Sequence, residues 1–171
     1  MVIDCPVPSG SVGCWAVDVM GTGGMPTPLA SRYLAAKFDD PTLSASVAAE
    51  FAERVDLDAL DGLAPIDAVV CVPSRTPVAA VFASLLASCL ARPLAPAATL
   101  RWTRDVPALK GVDPAERQAL VADALAATPI AGSVLLVDDV VRTTATLSEA
   151  TRALRAAGAE RVACLTMLRV D

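Results

Sequence analysis

The chain has 171 residues, is 54% hydrophobic and carries a net charge of −5 with no histidine. Its mean hydropathy is +0.54 and its pI about 4.7. The length suits one domain with a real core, the acidic balance disfavours a non-specific nucleic-acid binder, and the missing imidazoles exclude Ser-His and Cys-His dyads and His-ligated zinc.

The five cysteines are odd in number and form no C-x-x-C motif, which fits a reduced, cytoplasmic setting. Cys71, Cys89 and Cys164 lie in apolar runs and read as core filler. The longest apolar run, Val78 to Ala91, is bracketed by Arg75 and Arg92 and has the length of a buried helix, so no membrane span is expected. Asp4 comes early and no basic n-region precedes it, so no signal peptide is expected.

Residues 1–25 are rich in Gly, Pro and Ser and hold one short apolar stretch, Cys14 to Val17; Gly21-Thr22-Gly23-Gly24 reads as an ordinary turn. A helical segment is expected from Leu29 to Asp40. Leu43, Val47, Phe51 and Val55 then recur every four residues, one stripe of a second helix, with Thr42 or Ser44 available as its cap. Lys37, near the end of the first segment, reads as a solvated surface lysine, with a functional role as the second reading. Asp56 to Ile66 is a polar linker.

Asp67 to Val72 predicts a buried strand ended by Pro73-Ser74-Arg75. A helix from about Pro77 to Ala91 follows, with Pro at its start. Leu94 to Thr99 predicts a short strand. Arg101, Arg104 and Lys110 then concentrate positive charge, and Pro107 and Gly111 mark a loop. Asp113 caps the next helix, with Pro114 at its first position and Glu116 two residues on.

Val134 to Val137 is an apolar run of the kind buried on both faces of a sheet. It runs into Asp138-Asp139, then Val140-Val141-Arg142-Thr143-Thr144-Ala145-Thr146, then a helix marked by Leu147, Ala150, Leu154 and Ala157. Gly158 ends that helix, and Arg161 to Leu168 predicts a last strand. Strands alternating with helices predict an α/β domain with a central parallel sheet. Carboxylates at a strand end can accept hydrogen bonds from a ribose diol, and the next helix start offers N–H groups and its dipole to a phosphate. The pattern suits a phosphorylated sugar, bound outside the carboxyl ends of the strands.

This stretch resembles the phosphoribosyl-pyrophosphate (PRPP) motif of the type I phosphoribosyltransferases: a hydrophobic run, two acids and a small Thr-rich loop. The resemblance implies that fold, a central parallel sheet flanked by helices with a small N-terminal hood over residues 1–28, in a single domain spanning 1–171. It implies that Asp138 and Asp139 hold the ribose hydroxyls and Mg²⁺, and that Arg142, Thr143, Thr144, Ala145 and Thr146 wrap the 5′-phosphate. Ser74 and Arg75 become ligands for pyrophosphate. The order of Ala36-Lys37-Phe38, the Val-Pro run after the earlier strand, the Arg-rich stretch and Glu116-Arg117 is similar to the ComF-type branch over residues 29–170. There the Arg-rich stretch is a mobile loop that closes over PRPP, which makes Lys110 and Arg104 the catalytic candidates, followed by Arg101.

Two positions depart from the family pattern. Thr144 stands where the family usually has Gly, which permits close backbone approach or positive φ. Arg142 stands where the 6-oxopurine branch has an Asp base, a role Arg cannot fill. The implied activity is phosphoribosyl transfer to a nitrogen acceptor with release of pyrophosphate. Its alternative is a non-catalytic PRPP sensor or ComF-like scaffold. The implied partners are PRPP and pyrophosphate, with no direct nucleic-acid contact, no membrane and a homodimer allowed.

Overall fold

The computed structural model describes residues 3–22, 25–56, 66–107 and 112–170. Its centre is a five-stranded sheet in the order β1-β2-β9-β8-β5. These strands are β1 (Ile3–Asp4), β2 (Gly13–Val19), β5 (Ala68–Cys71), β8 (Gly132–Val141) and β9 (Ala159–Arg169). β2, β9, β8 and β5 run parallel to their neighbours, and β1 closes one edge antiparallel. Two small antiparallel two-stranded sheets stand apart from this sheet: β3 (Gly21–Thr22) with β4 (Met25–Pro26), and β6 (Leu100–Trp102) with β7 (Leu125–Ala127).

The apolar runs alternate between two buried layers, as the pleat requires. On one face, Val69, Leu135, Val137 and Leu165 pack with α1 (Pro28–Leu34), α2 (Ser44–Ala52) and α3 (Val78–Cys89). Phe51 and Phe82 meet there edge to face, with centroids 6.3 Å apart and planes at 68°. On the other face, Val70, Val134, Leu136 and Cys164 pack under Leu147, Ala150 and Leu154 of α5 (Ala145–Ala156). Another helix, α4 (Pro114–Val121), packs against α5.

Several expected elements appear in altered form. Residues 13–19, inside the segment assigned to a hood, form β2 in register with β9. Leu94 to Thr99 is not a strand. Pro93 and Pro96 supply no N–H, so this segment makes one bridge from Leu94 to Val69 and then a 3₁₀ turn over Ala97–Thr99. The expected helix from Leu29 to Asp40 is α1, capped by the Thr27 hydroxyl, followed by a π-helical turn over Ala35–Asp39. Asp40, rather than Thr42 or Ser44, caps the 3₁₀ turn before α2 by accepting from the Thr42 N–H at 3.0 Å. Cys164 is core, but Cys89 is exposed at the end of α3. Among the described residues no helix is long and apolar enough to cross a membrane.

α5 is fixed to the β6–β7 pair through the backbone of one residue. The N–H of Leu125 donates to Glu149 Oε1 at 3.0 Å, and its carbonyl accepts from Arg152 Nη2 at 3.0 Å. Arg152 also binds Glu149 through Nε at 2.8 Å and Nη2 at 2.7 Å. Gly158 follows α5 with φ +110, a conformation that L side chains rarely adopt. Replacing Glu149 by Ala leaves the Leu125 N–H without its acceptor. A loss of about 2 kcal/mol is expected in urea unfolding, with Glu149→Gln losing about half as much because it keeps an acceptor oxygen. Equal stability of Glu149→Ala and the parent would show that the clamp contributes nothing.

Candidate functional site

β5 ends at Cys71, opposite Val137, and the chain then leaves the sheet at Pro73. β8 does not end with it. β9 continues alongside as far as the pairing of Val141 with Arg169, so β8 runs four residues further than the sequence implied. Asp138 and Asp139 are the first residues of β8 beyond the end of β5. They therefore sit at the carboxyl end of the parallel sheet, where α/β folds place their ligands, yet inside a strand.

Both acids are buried, Asp138 8% and Asp139 7% exposed. Unanswered carboxylates at that depth are costly. Asp139 is answered by a cation: its Oδ2 accepts from Lys37 Nζ at 2.7 Å and from the Tyr33 hydroxyl at 2.9 Å. Lys37 Nζ also lies 2.7 Å from the Tyr33 hydroxyl oxygen, and 5.3 Å from the centroid of its ring. Lys37 is therefore no solvated surface lysine. The spacing of four between Tyr33 and Lys37 brings both groups to one carboxylate, with Lys37 on the π-helical turn. Such turns recur at functional sites.

Asp138 is answered differently. Burial first, and then the charge of Asp139, push its pKa well above the ordinary carboxylate value, while the Asp139 N–H donating to its Oδ1 at 2.8 Å opposes the rise. Tyr33 is held as a neutral donor, its pKa raised by burial and by Asp139. The Cys71 thiol, on the neighbouring strand, is pushed up to about 12 by burial and then by the two acids, so it is inert packing.

The acids open into a cavity of about 630 Å³. Lys37, Arg117 and Arg142 bring cations to it, Tyr33, Thr143 and Thr146 hydroxyls, and Met20, Leu34, Phe38, Val140 and Val170 an apolar wall. Arg142 is exposed and makes no ion pair or side-chain hydrogen bond with a described residue. Thr144 and Ala145 stand outside this lining. Thr144 is the N-cap of α5 at φ −78, a conformation that any residue adopts, so glycine's positive φ is not required there. Its side chain faces a smaller cleft of about 230 Å³ shared with Arg142, Thr143 and Arg169. Ala145 is buried at the start of α5.

The remaining expected site residues lie elsewhere. Ser74 and Arg75 are exposed on the turn after β5, which Trp102 anchors by donating from Nε1 to the Pro73 carbonyl at 3.1 Å. Neither lines the cavity. Arg101 is exposed on β6. Arg104 is occupied at the end of α4, where Nη2 donates to the carbonyls of Leu120 at 2.9 Å and Ala122 at 3.0 Å. Lys110 lies outside the described residues. Tyr33 and Arg117 were missed as site residues; the four-residue spacing of Tyr33 and Lys37 was the available signal for the first.

Among the described residues no cluster of three metal-ligating side chains forms. Two adjacent carboxylates nevertheless fit a hard cation such as Mg²⁺ that brings phosphate and water ligands of its own. Asp139 would share or exchange Lys37 for it.

A family model described as the phosphoribosyl transferase domain matches residues 39–170. The solved structure of Leishmania donovani UMP synthase superposes with a TM-score of 0.45 at 23% identity, over 87% of this chain and 27% of that chain. This chain thus spans about a quarter of that protein's length. No curated protein sequence matches significantly.

The raised pKa of Asp138 has a consequence for stability. From the ordinary carboxylate value of 3.8 up to its native value, the folded chain binds more protons at Asp138 than the unfolded chain does. This contribution is therefore fully present below 3.8 and is lost as pH rises from there through the native value. Asp138→Asn removes the loss while keeping the bond to the Asp139 N–H. A higher melting temperature than the parent is expected at pH 8, with the difference closing near pH 4. A constant offset at both pH values would show that Asp138 is ionised normally in the fold.

Proposed function

Because this chain belongs to the phosphoribosyl transferase domain family, we propose that it binds PRPP with Mg²⁺ in the cavity above β8. It then transfers the 5-phosphoribosyl group to a nitrogen acceptor and releases pyrophosphate. The observation that carries the reading is the run from buried acids to uncapped helix: Asp138 and Asp139, Arg142, Thr143 and Thr146 line one cavity, and α5 starts at that loop with no side-chain cap on Thr144. The first N–H groups of α5 are thus open to a phosphate.

In this reading the ribose hydroxyls donate to Asp138 and Asp139, with Tyr33 and Lys37 holding Asp139 in orientation. Arg142, Thr143 and Thr146 meet the 5′-phosphate. Bound Mg²⁺ would supply charge neutralisation at the pyrophosphate. The C1–O bond breaks with its electron pair going to pyrophosphate, through an oxocarbenium-like state. The lone pair of the acceptor nitrogen forms the C1–N bond, and the acceptor's proton passes to water. Ser74, Arg75 and Lys110 are further groups proposed to meet the leaving pyrophosphate. The apolar wall of Met20, Leu34 and Phe38 supports an acceptor with a flat, apolar face. The order of Lys37, the Arg-rich stretch and Glu116-Arg117 supports a place beside the ComF-type members.

Calorimetry with PRPP and Mg²⁺ tests the reading. The parent is expected to bind, and Asp139→Ala to lose about tenfold to a hundredfold in affinity, as removal of a charged hydrogen-bond partner does. Absence of heat from the parent would end the proposal. Binding without pyrophosphate release across a panel of nitrogen bases would turn it into the sensing alternative.

A further inference from the structure

Arg117 is a largely buried cation with no counter-charge among the described residues. It sits on α4, is 7% exposed and lines the same cavity as Asp138 and Asp139. Its Nε donates to the Val112 carbonyl at 2.8 Å, which fixes the plane of the guanidinium. Its terminal nitrogens Nη1 and Nη2 have no hydrogen-bond acceptor and no ion pair among the described residues. Lys37 is matched by Asp139 and Arg104 by two carbonyls; Arg142 is also unpaired among the described residues, but it is exposed.

The body of the side chain is buried, but its terminal nitrogens are not, so the unused donors are turned to the cavity. Its two free nitrogens form a fork shaped for paired anionic oxygens. The residues of the loop at the start of α5, Arg142, Thr143 and Thr146, form a separate anion-binding group in the same cavity. A ligand answering both groups carries anionic charge in two places.

We propose that Arg117 is the positioning residue for the diphosphate of PRPP, held through Nη1 and Nη2, while the loop at the start of α5 holds the 5′-phosphate. This rests on the PRPP reading above. It also assigns to α4 a role that the family resemblance implied for Lys110 and Arg104.

The test compares two probes by calorimetry in the presence of Mg²⁺: inorganic pyrophosphate and ribose 5-phosphate. Arg117→Gln is expected to weaken pyrophosphate about tenfold to a hundredfold, the range for a charge-assisted pair, and to change ribose 5-phosphate by no more than about twofold. Arg117→Lys, which keeps the charge and loses the fork, is expected to weaken pyrophosphate about threefold to tenfold. It serves as the test should Arg117→Gln not fold. The melting temperature of Arg117→Gln is expected close to that of the parent, since the terminal nitrogens it removes make no bond with a described residue. Unchanged pyrophosphate affinity in a variant whose parent binds PRPP would overturn the assignment and leave the PRPP reading standing. Equal weakening of both probes with a lowered melting temperature would overturn it in favour of a structural role. A parent that binds neither probe nor PRPP would end both.

Discussion

Two carboxylates cannot be buried side by side on one strand without something to answer their charge, and much of the architecture around β8 follows from that requirement. Asp139 is met by a lysine and a phenol from the first helical segment, more than a hundred residues earlier in the chain. Asp138 is met by its neighbour's N–H and by an elevated pKa. Both solutions hold the acids ready for a ligand without letting either collapse into the core. The contacts of Asp139 also tie α1 and the turn after it to the carboxyl end of the sheet through one ion pair and one hydrogen bond.

The parts legible in the sequence were those whose pattern is local. β8 and β9 announced themselves as apolar runs of the kind covered on both faces of a sheet. The acidic pair lies within β8 and the hydroxyl-rich loop follows it directly, so their chemistry could be placed without knowing the fold. β2 was obscured for the opposite reason. Gly13 to Val19 is short, follows a Pro- and Ser-rich stretch and carries Asp18; it becomes a strand because β9 offers a partner along its whole length. Leu94 to Thr99 misled through its aliphatic content, where the two prolines decided the outcome.

The cations were harder. Composition marks Arg101, Arg104 and Lys110 as a cluster, but clustering in sequence says nothing of direction. Arg104 turns to cap the end of α4, while Arg117, which seemed only a partner of Glu116 at a helix start, lines the cavity. Lys37 looked like one more solvated lysine until a carboxylate distant in sequence was brought to it. Charge placement is a tertiary property here, because each of these residues is defined by what the fold carries to its tip.

The π-helical turn after α1 has a consequence of its own. Its defining bond runs from the Asp40 N–H to the Ala35 carbonyl at 2.8 Å, one residue wider than an α-helical turn. It acts as a phase shifter: residues ahead of it keep the winding that buries Leu29, Ala30 and Tyr33, and residues after it are rotated out of step. Lys37 and Phe38 are thereby delivered to the rim of the cavity instead of continuing around the helix. A chain shortened by one residue in this turn could restore regular winding and keep its core, yet it would swing the ammonium off the acid it neutralises. The length of this segment is therefore dictated by angular timing, and only secondarily by packing.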